Sequence, residues 1–122
     1  MNLFIDDQRV PPEGWEVART VTDAIRILSS SPPEAISLDH DIAVNQSPLH
    51  TFSDENFSAV CQYLILMKNP PKLIFLHTAS RYGCENMKSI LSKTESKVVR
   101  ISPMDYEQEI RKFIQKQERR KP

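Results

Sequence analysis

No stretch of this chain approaches the roughly 20 apolar residues that a membrane-spanning helix needs. No surplus of charge marks it for nucleic acid or an anionic surface either, since 16 Lys and Arg offset 16 Asp and Glu. Cysteine is scarce: Cys61 and Cys84 lack metal-ligand spacing. Both fall on apolar faces of predicted helices and read as buried, inert thiols kept reduced. The start turns acidic at Asp6 before any hydrophobic segment forms, so a signal peptide is not expected and the expected location is the cytoplasm. Internal repeats and interdomain linkers are missing as well, so the expectation is one domain over residues 1–122, long enough to bury a core without disulfides or a structural metal. The single basic cluster, Arg119, Arg120 and Lys121, reads as a solvated end rather than a DNA-binding signal.

What the chain has is an alternation of short apolar runs with segments of helical period, the pattern of βα units around a parallel sheet. Strands are predicted at Asn2–Ile5, Glu16–Arg19, Glu34–Asp39, Lys72–His77 and Lys97–Ile101. Leu3-Phe4-Ile5 and Leu73-Ile74-Phe75-Leu76 are apolar throughout, which suits strands covered on both faces.

A first helix follows Thr20, with Val21, Ala24, Ile25 and Leu28 on one stripe and Asp23 completing a capping-box pattern. A second is predicted from Ser53, presenting Phe57, Val60, Cys61, Leu64 and Ile65, and stopping at Asn69-Pro70-Pro71. A third runs from about Gly83 to Lys93 with Met87, Ile90 and Leu91 inside. The last is predicted to open at Ser102-Pro103 and to present Tyr106, Ile110, Phe113 and Ile114. Between the first two strands, Asp6 to Gly14 is only nine residues and includes Pro11 and Pro12, too short for a normal crossover helix. Residues 40–52 form a long aperiodic segment, a candidate lid or binding loop.

In an open α/β sheet, ligands bind beyond the carboxyl ends of the strands, where the strand order reverses. Those ends carry Asp6-Asp7, then Asp39-His40-Asp41, then His77-Thr78: four carboxylates and two imidazoles at one edge. Clustered carboxylates repel unless a cation or shared protons offset their charge, and hard oxygen ligands suit Mg²⁺ or Mn²⁺. Either His40 or His77 could exchange a proton near neutral pH. Arg9 and Arg81, in loops at the same edge, could clamp a phosphate.

These strand ends resemble those of the response-regulator receiver domain: an acidic pair after strand one, an aspartate after strand three, Thr-Ala after strand four and a proline opening the last helix. The resemblance implies a doubly wound, five-stranded parallel sheet in the flavodoxin-like order 2-1-3-4-5, here with the first helix reduced or absent. It implies a phosphoacceptor at Asp39, metal-binding acids at Asp6 and Asp7, a phosphate-sensing hydroxyl at Thr78 and a metal-ligating carbonyl at Asp41. Ser102 stands where receivers carry a lysine.

A divergent branch, the cyclic-phosphate-processing receivers, is a closer match. Its pattern resembles Leu3-Phe4-Ile5-Asp6-Asp7 with Arg9, Pro12 and Gly14-Trp15, then Ser37-Leu38-Asp39-His40-Asp41, then His77-Thr78 with Gly83 and Met87. The glycine-bearing turn of that branch after Asp41 is missing, and Ser80 replaces its usual asparagine. The branch implies a role at RNA ends or in nucleotide-linked conflict systems.

The expected function is therefore a metal-assisted phosphoesterase acting on a cyclic phosphate, either an RNA 2′,3′-cyclic end or a cyclic nucleotide. In that expectation Asp6, Asp7, Asp39 and Asp41 hold the cation, while His40 and His77 act as general base and acid. Thr78 with Arg9 or Arg81 binds the phosphate oxygens, and Asp39 is an alternative nucleophile. Two other classes stay open: a signalling receiver phosphorylated on Asp39, and a pseudo-receiver that only binds a nucleotide or protein.

Overall fold

The computed structural model describes residues 1–40 and 57–119. Five strands, β1 (Asn2–Ile5), β2 (Glu16–Ala18), β3 (Ala35–Leu38), β4 (Leu73–Leu76) and β5 (Lys97–Arg100), form one sheet in the order β2-β1-β3-β4-β5. Every pairing is parallel. This is the doubly wound order expected, and the segment between β1 and β2 contains only turns and bends in place of a helix.

Side-chain alternation sorts the sheet into two faces. Leu3, Ile5, Ile36, Leu38, Ile74 and Leu76 enter a core with α1 (Val21–Ser30), α2 (Ser58–Leu64) and α3 (Arg81–Leu91). Phe75 faces the other way, into a smaller cluster with Ile101 and with Ile110, Phe113 and Ile114 of α4 (Tyr106–Arg119). Cys61 and Cys84 are buried free thiols, as expected, and burial pushes the Cys61 pKa up to about 12.

Local chemistry explains most helix ends. Thr20 caps α1 by accepting from the Asp23 amide, and Ser80 caps α3 by accepting from the Gly83 amide. Ser80 thereby starts α3 at Arg81, two residues before the predicted start. Ser102 differs from expectation. Its hydroxyl accepts from the Met104 amide and its own amide donates to Glu109, so it closes a turn, and α4 begins four residues later at Tyr106. A short Ser/Thr-type turn has outcompeted the helix at that point. The predicted Ser53 cap and residues 41–52 of the candidate lid lie outside the described residues.

Gly83 lets α3 approach the end of β3. A Cβ there would stand 2.4 Å from His40 Cγ, 2.5 Å from Nδ1 and 2.8 Å from Cβ. In an open helix, replacing glycine by alanine gains up to about 1 kcal/mol. Here the sign reverses: Gly83→Ala must push the root of His40 aside, and overpacking of this kind costs about 1–3 kcal/mol. Denaturant unfolding of the variant should show that loss; a gain in stability would mean that His40 does not pack against α3.

Candidate functional site

Ile5, Leu38 and Leu76 lie in one register row, and the ladder continues one residue past the strands. The Asp6 amide donates to Ala18, that of Asp39 to Ile5 and that of His77 to Leu38. Asp6, Asp39 and His77 therefore start from a fixed row. By alternation their side chains share the face of Phe4, Ser37 and Phe75, whereas His40 turns toward α3, where it meets Gly83.

Asp6 is the centre of the arrangement. Its Oδ1 accepts from the amides of Gln8 (2.9 Å) and Arg9 (3.0 Å). Its Oδ2 accepts from Arg9 Nη1 (2.9 Å) and His77 Nε2 (2.8 Å). Burial works to raise its pKa, but the His77 hydrogen bond, the two amides and the guanidinium outweigh burial and hold it well below the usual carboxylate range. An ionised carboxylate only accepts, so His77 carries its proton on Nε2 and Nδ1 faces the Ser37 hydroxyl at 2.6 Å. The His77 ring is fully buried, stacked on Phe4 at 4.6 Å and 6°, with Tyr106 tilted against both.

Arg9 joins the two strand-end acids. Its Nη1 donates to Asp6 and also to Asp39 Oδ2 at 3.1 Å, while Asp39 Oδ1 accepts from the His40 amide. Burial, followed by the Asp6 charge, nevertheless raises the Asp39 pKa against the opposing effects of His77, the His40 amide and Arg9. Arg19 fastens the β1–β2 loop by donating to the carbonyls of Asp6 and Arg9. Tyr106 fastens the same loop from α4, its hydroxyl donating to the Val10 carbonyl.

Of the expected site residues, Asp6, Asp7, Asp39, Arg9 and His77 come together. Asp7 is half-buried, with a ligand atom in the same group as those of Asp6 and Asp39. Thr78 is buried beside them in sequence, its hydroxyl oxygen accepting from the Ser80 amide. His40 is buried on the α3 side. Arg81 is exposed at the start of α3, and Asp41 lies outside the described residues. Arg19 and Tyr106 were not anticipated, and Ser37 was expected only as part of the strand-end motif, with no role of its own. Ser37 had a signal, as the one hydroxyl within the otherwise apolar strand Ala35–Leu38, and so did Arg19, which ends β2 as Asp6 ends β1. Tyr106 had none beyond its place on the apolar stripe of α4.

Asp6, Asp7 and Asp39 offer ligand atoms within 4.8 Å of one another, and hard oxygens of this kind fit a divalent cation. The four acceptor positions of Asp6 are already used, two of them by the amide and the guanidinium of Arg9. Asp39 Oδ2 also accepts from Arg9, so Asp6 and Asp39 meet the ion through those oxygens only when the guanidinium leaves.

A family model described as the cyclic-phosphate processing receiver domain matches residues 1–93, and the chain belongs to that family. The match contains every site residue named above except Tyr106. No curated protein and no solved structure matches the chain.

The two central acids should answer mutation with opposite signs. The low Asp6 pKa means that its ionised form stabilises the fold above about pH 4, a contribution lost as pH falls through the folded value. Asp6→Asn sets an NH₂ group against Arg9 and His77 and should cost about 2–5 kcal/mol at pH 7, less in acid. The raised Asp39 pKa means the reverse: ionisation costs stability at neutral pH, and the cost disappears below 3.8. Asp39→Asn should melt at or above the parent temperature at pH 7 and lose that advantage as pH falls. Melting curves of both variants across pH 3–7 check the pair.

Ser37→Ala strands the buried Nδ1 of His77 and should cost about 1–3 kcal/mol in the same assay.

Proposed function

We propose that this receiver-family domain is a cytoplasmic phosphoesterase that opens a cyclic phosphate, at an RNA 2′,3′-cyclic end or in a cyclic nucleotide. Water oxygen bonds to phosphorus, one ring P–O bond breaks, and the freed ring oxygen takes a proton, leaving a phosphomonoester. The observation that carries this reading is the convergence of Asp6, Asp7 and Asp39 with a shared arginine at the carboxyl edge of the sheet. That edge is where open α/β sheets bind ligands.

Asp7 and, once Arg9 moves, Asp6 and Asp39 would hold Mg²⁺ or Mn²⁺, which when bound supplies Lewis acidity toward the phosphate. Arg9 sits where its donors can hold nonbridging oxygens, with exposed Arg81 as a second clamp. His40 is buried against α3, on the opposite side of the sheet from Asp6 and Asp39, and supplies no proton-transfer group in this reading. His77 is better placed as a positioning residue, because both ring nitrogens are engaged and the ring has no exposure. Ser102 in place of the receiver lysine, its hydroxyl closing a turn, weighs against phosphate signalling through that strand end.

A screen of cyclic mono-, di- and oligonucleotides and cyclic-ended RNA with added Mg²⁺ or Mn²⁺ tests the proposal. Turnover is expected with at least one class, and Asp39→Asn should lower it at least about 10²-fold with no loss of melting temperature, as for a group in direct contact with the reacting centre. His77→Gln should lower the rate without removing a limb of the pH profile; loss of one limb would make His77 a proton donor or acceptor after all. Labelling of Asp39 by a small phosphodonor, with every cyclic phosphate left intact, would replace the hydrolase by a signalling receiver.

A further inference from the structure

Arg9 Nη1 stands 2.9 Å from Asp6 Oδ2 and 3.1 Å from Asp39 Oδ2, and the two acids are 33 residues apart in sequence. An ion bridging those oxygens would lie about 2.1 Å from each, and it cannot share that side of the pair with a guanidinium nitrogen. The rest of Arg9 is pinned: its amide donates to Asp6 Oδ1 and its carbonyl accepts from Arg19. Only the side chain can leave, and at 32% exposure it has a route outward.

We propose that the Arg9 guanidinium is the resident counter-cation of the site, displaced from Asp6 and Asp39 by a divalent ion and thereby released to bind the substrate phosphate. The second half rests on the phosphoesterase reading; the exchange itself does not. The exchange keeps positive charge between the carboxylates in both states, so their repulsion is offset before and after the ion arrives. It also couples the ligands. The ion frees the arginine, the arginine favours the phosphate, and by linkage phosphate must favour the ion to the same degree.

The test is ion binding, read apart from turnover. Arg9→Gln removes the competitor, so Mn²⁺ measured by electron paramagnetic resonance should bind at least about tenfold more tightly than to the parent, corresponding to a parent site open about a tenth of the time. In the parent, inorganic phosphate should tighten Mn²⁺ binding, and in Arg9→Gln that coupling should vanish. The unmutated chain gives an independent reading if the variant fails to fold: Mg²⁺ should shift the Nε–H resonance of Arg9 as the side chain leaves the carboxylates. Equal Mn²⁺ affinity in parent and variant, no Mn²⁺ binding in either, or an Arg9 resonance unmoved as Mg²⁺ saturates would each overturn the exchange. Turnover of a cyclic phosphate alongside any of those results would leave the phosphoesterase reading standing and remove only the exchange.

Discussion

A buried carboxylate that has spent all four of its acceptor positions organises this molecule. Asp6 ends β1 and receives two amides from its own loop, one guanidinium nitrogen and one imidazole. The amides fix the turn of the β1–β2 connection, the guanidinium reaches across to Asp39, and the imidazole ties β1 to β4 through His77 and on to Ser37 in β3. Three strands are thereby joined by side chains at the point where their backbone ladder ends. An anion buried this completely is tolerable only because each donor is in place, which makes the site part of the fold's stability.

The two faces of the sheet are unequally covered, and the site reflects it. Among the described residues, three helices close the face of Leu3, Ile36 and Ile74, whereas α4 is the helix packed on the other. On that thinner side, Phe4, His77 and Tyr106 stack as a ring cluster directly beneath the acids. Its apolar walls lower the local dielectric around Asp6 and lengthen the reach of the Arg9 charge. The same burial that strengthens those attractions disfavours a second ionised group, so Asp39, with fewer donors, is pushed the opposite way from Asp6.

Much of this was legible in the order of residues because the sheet is parallel. In a parallel sheet, the residues following each strand collect at one edge, so reading strand ends located Asp6, Asp39 and His77 together. Apolar periodicity located the buried stripes of α1, α3 and α4 for a similar reason, since burial against a flat sheet imposes it. What escaped depended on pairings between side chains. Nothing local shows that Ser37 meets a histidine 40 residues away, or that Tyr106 reaches a carbonyl in the β1–β2 loop. The start of α4 escaped because Ser102-Pro103 satisfies a helix-cap pattern and a turn equally well, and the bond from its amide to Glu109 decided for the turn.

The absent first helix and the position of the site's cation are one feature. Receivers carry a lysine after the last strand, and here that position holds Ser102, turned into local hydrogen bonds. The positive charge beside Asp6 and Asp39 comes instead from Arg9, four residues past the end of β1. A crossover helix following β1 would carry its residues off along the face of the sheet. The short proline-containing connection keeps residue 9 folded back over the edge, with Arg19 holding its carbonyl and Tyr106 that of Val10. A cation delivered by a three-residue turn loses little chain entropy on reaching Asp6, and it remains on the loop even when its guanidinium is pulled away. A lysine from a distant strand end would not be tethered that way, so the short crossover carries the charge in a segment that holds it close to both acids.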